Sequence, residues 1–141
     1  MTKIFQNRGF MVVEVLVAVS IITVSILAAM TVAQKSIYVS RQAFHMTQAS
    51  FLLEEGAENA RIARDNAWSN VSTLSTSEQV GIFNRTVVAS DVNRDNDTKN
   101  IVGSGGTLDP GTKLITVTVS WPEGGATLTK TLQFYITDIF S

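Results

Sequence analysis

One carboxylate stands alone in a long apolar run: between Arg8 and Lys35 the only charged residue is Glu14. A carboxylate at the depth of a membrane interior costs on the order of 2.5–3.5 kcal/mol, so such a group usually has a partner and a function. Lying near one end of the run, Glu14 also has the simpler option of reaching the headgroup region, as in a plain membrane anchor. Its spacing suggests a sharper chemistry. A chain cut after Gly9 would carry a new amine on Phe10, four residues before Glu14 and on the same helix face one turn away. A carboxylate there also meets the positive end of the helix dipole. The chemistry this pattern offers is charge pairing.

Catalytic and metal-binding patterns are weaker. The chain has no cysteine and one histidine, so a disulfide framework, a thiolate zinc site, a cysteine nucleophile and a polyhistidine metal site within one chain are excluded. His45 has no recognisable second ligand or nucleophile near it in sequence and reads as a structural or surface residue. Asp91, Asn93, Asp95 and Asp97 place oxygen ligands at alternate positions, as at the start of a calcium loop, which makes them a weak calcium candidate. Asn96 stands where that loop needs its turn glycine and Val102 where it needs a bidentate glutamate, and Arg94 and Lys99 oppose a cation. Glu54, Glu55 and Glu58, followed by Arg61 and Arg64, read as a solvated helix face with weak ion pairs. No nucleophile with a base, metal cluster or phosphate loop emerges, so no enzyme and no cofactor are expected. Eleven basic against twelve acidic residues leave a charge of −1 and no basic field for nucleic acid.

The elements that must position Glu14 follow from composition. From Phe10 to Ala33, 19 of 24 residues are apolar, and as a helix they span roughly 36 Å, enough to cross a hydrocarbon core of about 30 Å. The run is longer than the apolar core of a cleaved signal peptide, and a chain this small has difficulty burying such a helix on every side. After Ala33 the pattern turns amphipathic, with Ile37, Phe44 and Phe51 every seven residues and Ala43, Leu52, Ala60 and Ala63 on or beside that stripe. One helix from Phe10 to about Ala67 is predicted, with Gly56 a weak point or bend within it.

From Ser69 onward the chain is rich in Ser and Thr and holds seven of the nine glycines, the composition of short strands and turns. Strands are predicted over Gly81–Val92, Leu114–Trp121 and Thr127–Asp138. Ile115, Val117, Val119 and Trp121 alternate with Thr116, Thr118 and Ser120, so the apolar set shares one face, which should pack on the helix. Pro122-Glu123-Gly124-Gly125 supplies a turn that joins the last two strands as a hairpin. Leu128, Leu132, Phe134 and Ile136 share a face interrupted by Lys130, expected at an edge or snorkelling. Ile101 to Pro110 is expected to continue a mobile loop, and Trp68 and Trp121 to anchor the helix end on the sheet. The expected class is α+β, a long N-terminal helix packed on a small antiparallel sheet of about three to four strands. Its divisions are 1–9, 10–33, 34–68 and 69–141.

A basic, acid-free leader from Met1 to Gly9, then Gly9-Phe10, an acid as the fifth residue after that junction and an uninterrupted apolar helix together resemble the prepilin leader of type IV pilins and type II secretion pseudopilins. The resemblance implies the pilin fold, and a membrane prepilin peptidase that cuts between Gly9 and Phe10 on the cytoplasmic side and methylates the new amine of Phe10. It implies that Glu14 pairs with the N-terminal amine of a neighbouring subunit as a filament grows. The precursor would cross the cytoplasmic membrane once with its N-terminus inside, and the assembled subunit would lie outside. Other pilin subunits and the assembly machinery are the implied partners. A minor pilin or pseudopilin is favoured by the short globular part and the absence of a carboxy-terminal cysteine pair. Loss of the leader would change the charge from −1 to −3, since Lys3 and Arg8 leave with it. Two other readings stand beside this one: a single-pass anchored extracytoplasmic binding domain that keeps its leader, and a secreted calcium- or sugar-binding β module using Asp91 to Asn100.

Overall fold

A computed structural model describes residues 6–139, of which residues 6–9 are described by their backbone alone. Helix α1 runs unbroken over Gln6–Asn66 and is followed by the short α2, Trp68–Ser72. Five strands then form one antiparallel sheet: β1 Ser75–Val80, β2 Phe83–Arg94, β3 Ile101–Val102, β4 Thr107–Glu123 and β5 Ala126–Thr137. The sheet order is β1-β2-β4-β5, with β3 paired to β2. The α+β class holds, with one strand more than the upper expectation. The chain divides into two compact units, residues 1–43 and 44–141.

The first unit is helix alone. Its apolar side chains from Phe10 to Met30 stand exposed on every side, because nothing within the unit covers them. The hydroxyls scattered along it fold back on the helix. Ser20 donates to the Leu16 carbonyl at 2.7 Å, Thr23 to Val19 at 2.8 Å and Ser25 to Ile21 at 2.8 Å. Thr31 reaches the Leu27 and Ala28 carbonyls.

The second unit closes its own core. Ile115, Val117, Val119 and Trp121 of β4 are fully buried on one face, as their alternation predicts, and meet Val87 and Phe83 of β2 and Ile136 of β5. The helix face that covers them is Ala49, Leu53, Ala57 and Ala60, with Gly56 among them. Of the amphipathic stripe and its neighbours, Ala60 is buried and Leu52 and Ala63 pack against the core, whereas the large Phe44 and Phe51 are exposed. The reason is distance. A Cβ on Gly56 would lie 2.6 Å from Val117 Cγ1, so the helix sits too close to the sheet for aromatic rings on that face. Gly56 serves close approach, and the helix continues through it.

Two strand boundaries and a loop also need correction. The first predicted strand begins at Phe83 rather than Gly81, since Gly81-Ile82 forms the two-residue turn of a β1–β2 hairpin. Gly124 and Gly125, both at positive φ, make the predicted β4–β5 turn, while Pro122 and Glu123 belong to β4. The segment from Ile101 to Pro110 contributes to β3 and β4 instead of hanging free. Arg94 ties it down by donating to Asp109 Oδ2 at 2.6 Å, to the Lys99 carbonyl at 3.0 Å and to Thr112 Oγ1 at 3.3 Å. Pro110, Gly111 and Thr112 lie where the β2–β4 register shifts between Asp91 and Val92, a bulge in which a residue without an N–H is tolerated. The Pro110 carbonyl accepts from Trp68 Nε1 at 3.0 Å, so Trp68 anchors the end of the helical segment as expected.

Candidate functional site

Glu14 lies on the first unit's helix in a stripe with Phe10, Val13, Val17, Ala18 and Ile21, which together line a shallow apolar groove along one helix face. Phe10 and Glu14 therefore share a face, as their four-residue spacing requires. Glu14 makes no ion pair among the described residues, and the next basic residue, Lys35, is about 31 Å further along the helix. The expected leader, residues 1–9, has residues 1–5 outside the described residues; the backbone of residues 6–9 is the start of α1, so the Gly9–Phe10 junction lies in helix. By length and composition α1 can cross a membrane once, and its most apolar stretch has no buried residue.

Two of the four calcium candidates, Asp91 and Asp95, have side-chain partners within the chain. Asp91, on β2, pairs with the Lys113 ammonium. Asn93 pairs across the sheet with Val102 and Leu108. Asp95 Oδ1 accepts from the Thr98 and Asp97 backbone N–H groups at 2.8 and 3.0 Å and from the Thr98 hydroxyl at 3.0 Å. Those bonds, the Thr98 backbone bond foremost, hold the Asp95 carboxyl below its ordinary pKa. Asp95 thus shapes the turn that precedes β3. Among the described residues no three His, Cys, Asp or Glu side chains gather as a metal set.

Two polar clusters in the second unit went unforeseen. Glu123 continues the inward alternation of Val119 and Trp121, and its carboxylate meets His45 Nδ1 at 2.5 Å with side-chain exposures of 1% and 18%. The His45 ring also lies edge-on to Phe83, centroids 6.1 Å apart. Parity along β4 was the available signal for Glu123; nothing local pointed from it to His45, 78 residues away. Arg85, likewise inward-facing and only 4% exposed, is held by Glu55 at 3.0 Å and Glu78 at 2.5 Å. Burial disfavours its charge, but the two carboxylates outweigh that and raise its pKa above the ordinary value. Beside these groups a groove of about 520 Å³ opens between α1 and the β1–β2 hairpin, lined by His45, Gln48, Phe51, Leu52, Val80 and Phe83 among others.

No protein-family model, curated protein or solved structure matches this chain.

Proposed function

We propose that this chain is a structural subunit, of minor pilin or pseudopilin type, of a type IV pilus-like or type II secretion filament. The observation that carries the reading is the first unit itself: an apolar helix with no cover of its own, interrupted by one carboxylate a single turn after the Gly9-Phe10 junction. Lipid covers such a surface before assembly, and the same surface of other subunits covers it afterwards, so it stays dry in both settings. Cleavage after Gly9 by a prepilin peptidase frees the Phe10 amine, which is then methylated. Glu14 finds its countercharge in that amine on a neighbouring subunit, because an unpaired carboxylate in an apolar bundle costs several kcal/mol. The pairing sets register; the second unit is carried outside as the exposed head. The role is assembly, with no catalytic step of its own.

Mass measurement of the protein from its host tests this directly. Loss of residues 1–9 with one methyl on Phe10 is expected, and an intact leader would leave the anchored binding domain as the better reading. Glu14→Ala should be processed normally yet enter filaments poorly; incorporation at the wild-type level would remove the charge-pairing role.

A further inference from the structure

The sheet is unfinished on one side. In the order β1-β2-β4-β5, strand β1 pairs with β2 and has no neighbour beyond it among the described residues. Its register places Thr76, Glu78 and Val80 opposite Val87, Arg85 and Phe83, the core-facing residues of β2, so these three share the sheet face turned toward the helix. The groove opens beside Val80, with Gln48, Phe51 and Leu52 of α1 as its far wall. A further strand would lie about 4.8 Å outside β1 and send every second side chain toward the helix. The residue opposite Val80 would then enter the groove, where Phe51 stands 65% exposed. The half-buried Gln48 carboxamide in the same wall has no hydrogen-bond partner among the described residues.

Charge defines the neighbouring position. Glu78 and Glu55 are 60% and 58% exposed and share the single buried guanidinium of Arg85, so this cluster has one carboxylate in excess. An acidic residue on an edge strand ordinarily discourages pairing. Beside an apolar groove it also selects what can pair. We propose that the outer edge of β1 docks an extended peptide segment of a partner protein as an antiparallel sixth strand. That segment carries a branched or aromatic apolar residue opposite Val80 and a Lys or Arg two residues later, opposite Glu78. Main-chain hydrogen bonds would hold the strand, while the groove and the excess carboxylate would choose its sequence. The site goes beyond the filament role and does not depend on it.

The test uses the full chain in phosphatidylcholine nanodiscs and the fluorescein-labelled peptide Thr-Thr-Leu-Thr-Lys-Thr-Thr, followed by anisotropy. Saturable binding is expected, weakened at least tenfold when the peptide lysine is replaced by glutamate or when leucine and lysine are moved three apart onto opposite faces. N-methylation of alternate peptide amides should abolish it. Glu78→Lys should reverse the preference in favour of the glutamate peptide, and Phe51→Ala, at an exposed position that leaves the core intact, should weaken both. Circular dichroism verifies that each variant keeps its strands. A flat titration up to about 1 mM, equal affinity for the lysine and glutamate peptides, or indifference to N-methylation would overturn the proposal. Glu14→Ala should bind the peptide as wild type does, so a failure of the filament reading and a failure of this one are separately visible.

Discussion

His45 Nδ1 and Glu123 Oε2 lie 2.5 Å apart and join the start of the packed helix to the end of β4, with the carboxylate almost wholly withdrawn from water. A buried carboxylate that loses a hydrogen-bonding partner retains its desolvation cost. His45→Ala is therefore expected to destabilise the second unit by about 2 kcal/mol. In the double variant His45→Phe with Glu123→Met much of that loss should return, because the buried carboxylate is removed together with its imidazole partner. Chemical denaturation of wild type, His45→Phe, Glu123→Met and the double variant closes a double-mutant cycle that measures the coupling, and additive losses would show that the pair contributes nothing as a pair.

Gly56→Ala should destabilise despite alanine's better helix propensity. The added methyl meets Val117 Cγ1 at 2.6 Å, and overpacking of this kind costs about 1–3 kcal/mol against a propensity gain of about 1 kcal/mol. Val117→Ala makes room for it. Thermal unfolding should therefore find the combination of Gly56→Ala and Val117→Ala less damaging than the sum of the two single changes.

Asp109 offers an acid-dependent test. Its hydrogen bonds from Arg94 first, then from Thr112, hold its pKa below the ordinary carboxylate value. A group whose pKa is lower in the folded chain contributes stability above the unfolded value of about 3.9 and loses it as pH falls through the folded value. Asp109→Asn should thus be less stable than wild type at pH 7, by a margin that narrows toward pH 2. Urea titrations at both pH values check the sign; an equal deficit at both would mean that ionisation of Asp109 is not what holds the loop.

Lys130 faces the helix side of β5, the other outer strand, and donates from Nζ to Ser50 Oγ at 3.0 Å. It interrupts an otherwise apolar set of Leu128, Leu132, Phe134 and Ile136. On a long edge strand this lysine opposes pairing of β5 with the β5 edge of a second copy, where like charges would meet. Lys130→Val should leave the fold intact and increase concentration-dependent association, measured by analytical ultracentrifugation of the protein in nanodiscs.

Local signals read well where one residue type repeats with one period. The alternation in β4 predicted its buried face, and Gly124-Gly125 its turn, because side-chain direction along a strand and positive φ in a tight turn are properties of a few neighbouring residues. Strand β1 carries no local signal because Ser75–Val80 is almost entirely polar: an edge strand exposed on its flank needs no apolar pattern, and pairing with β2 is what makes it a strand. The segment before Pro110 reads as a loop for a similar reason, since the guanidinium of Arg94 that fastens it acts across the sheet.

By itself the sequence determined the apolar helix, the solitary Glu14 and its one-turn spacing from Phe10, since helical period and a lone charge are visible in linear order. Only the tertiary structure decided which side of that helix packs on the sheet. The heptad of large residues is the louder pattern, yet the face that packs is Ala49, Leu53, Gly56, Ala57 and Ala60, with its closest approach at Gly56 and Val117, and Phe44 and Phe51 stand exposed. The same selection put Glu123 beside His45, and Arg85 between Glu55 and Glu78. Those partners meet because a close-packed interface leaves each buried charge few places to go, a constraint set by packing across the fold rather than by neighbours along the chain.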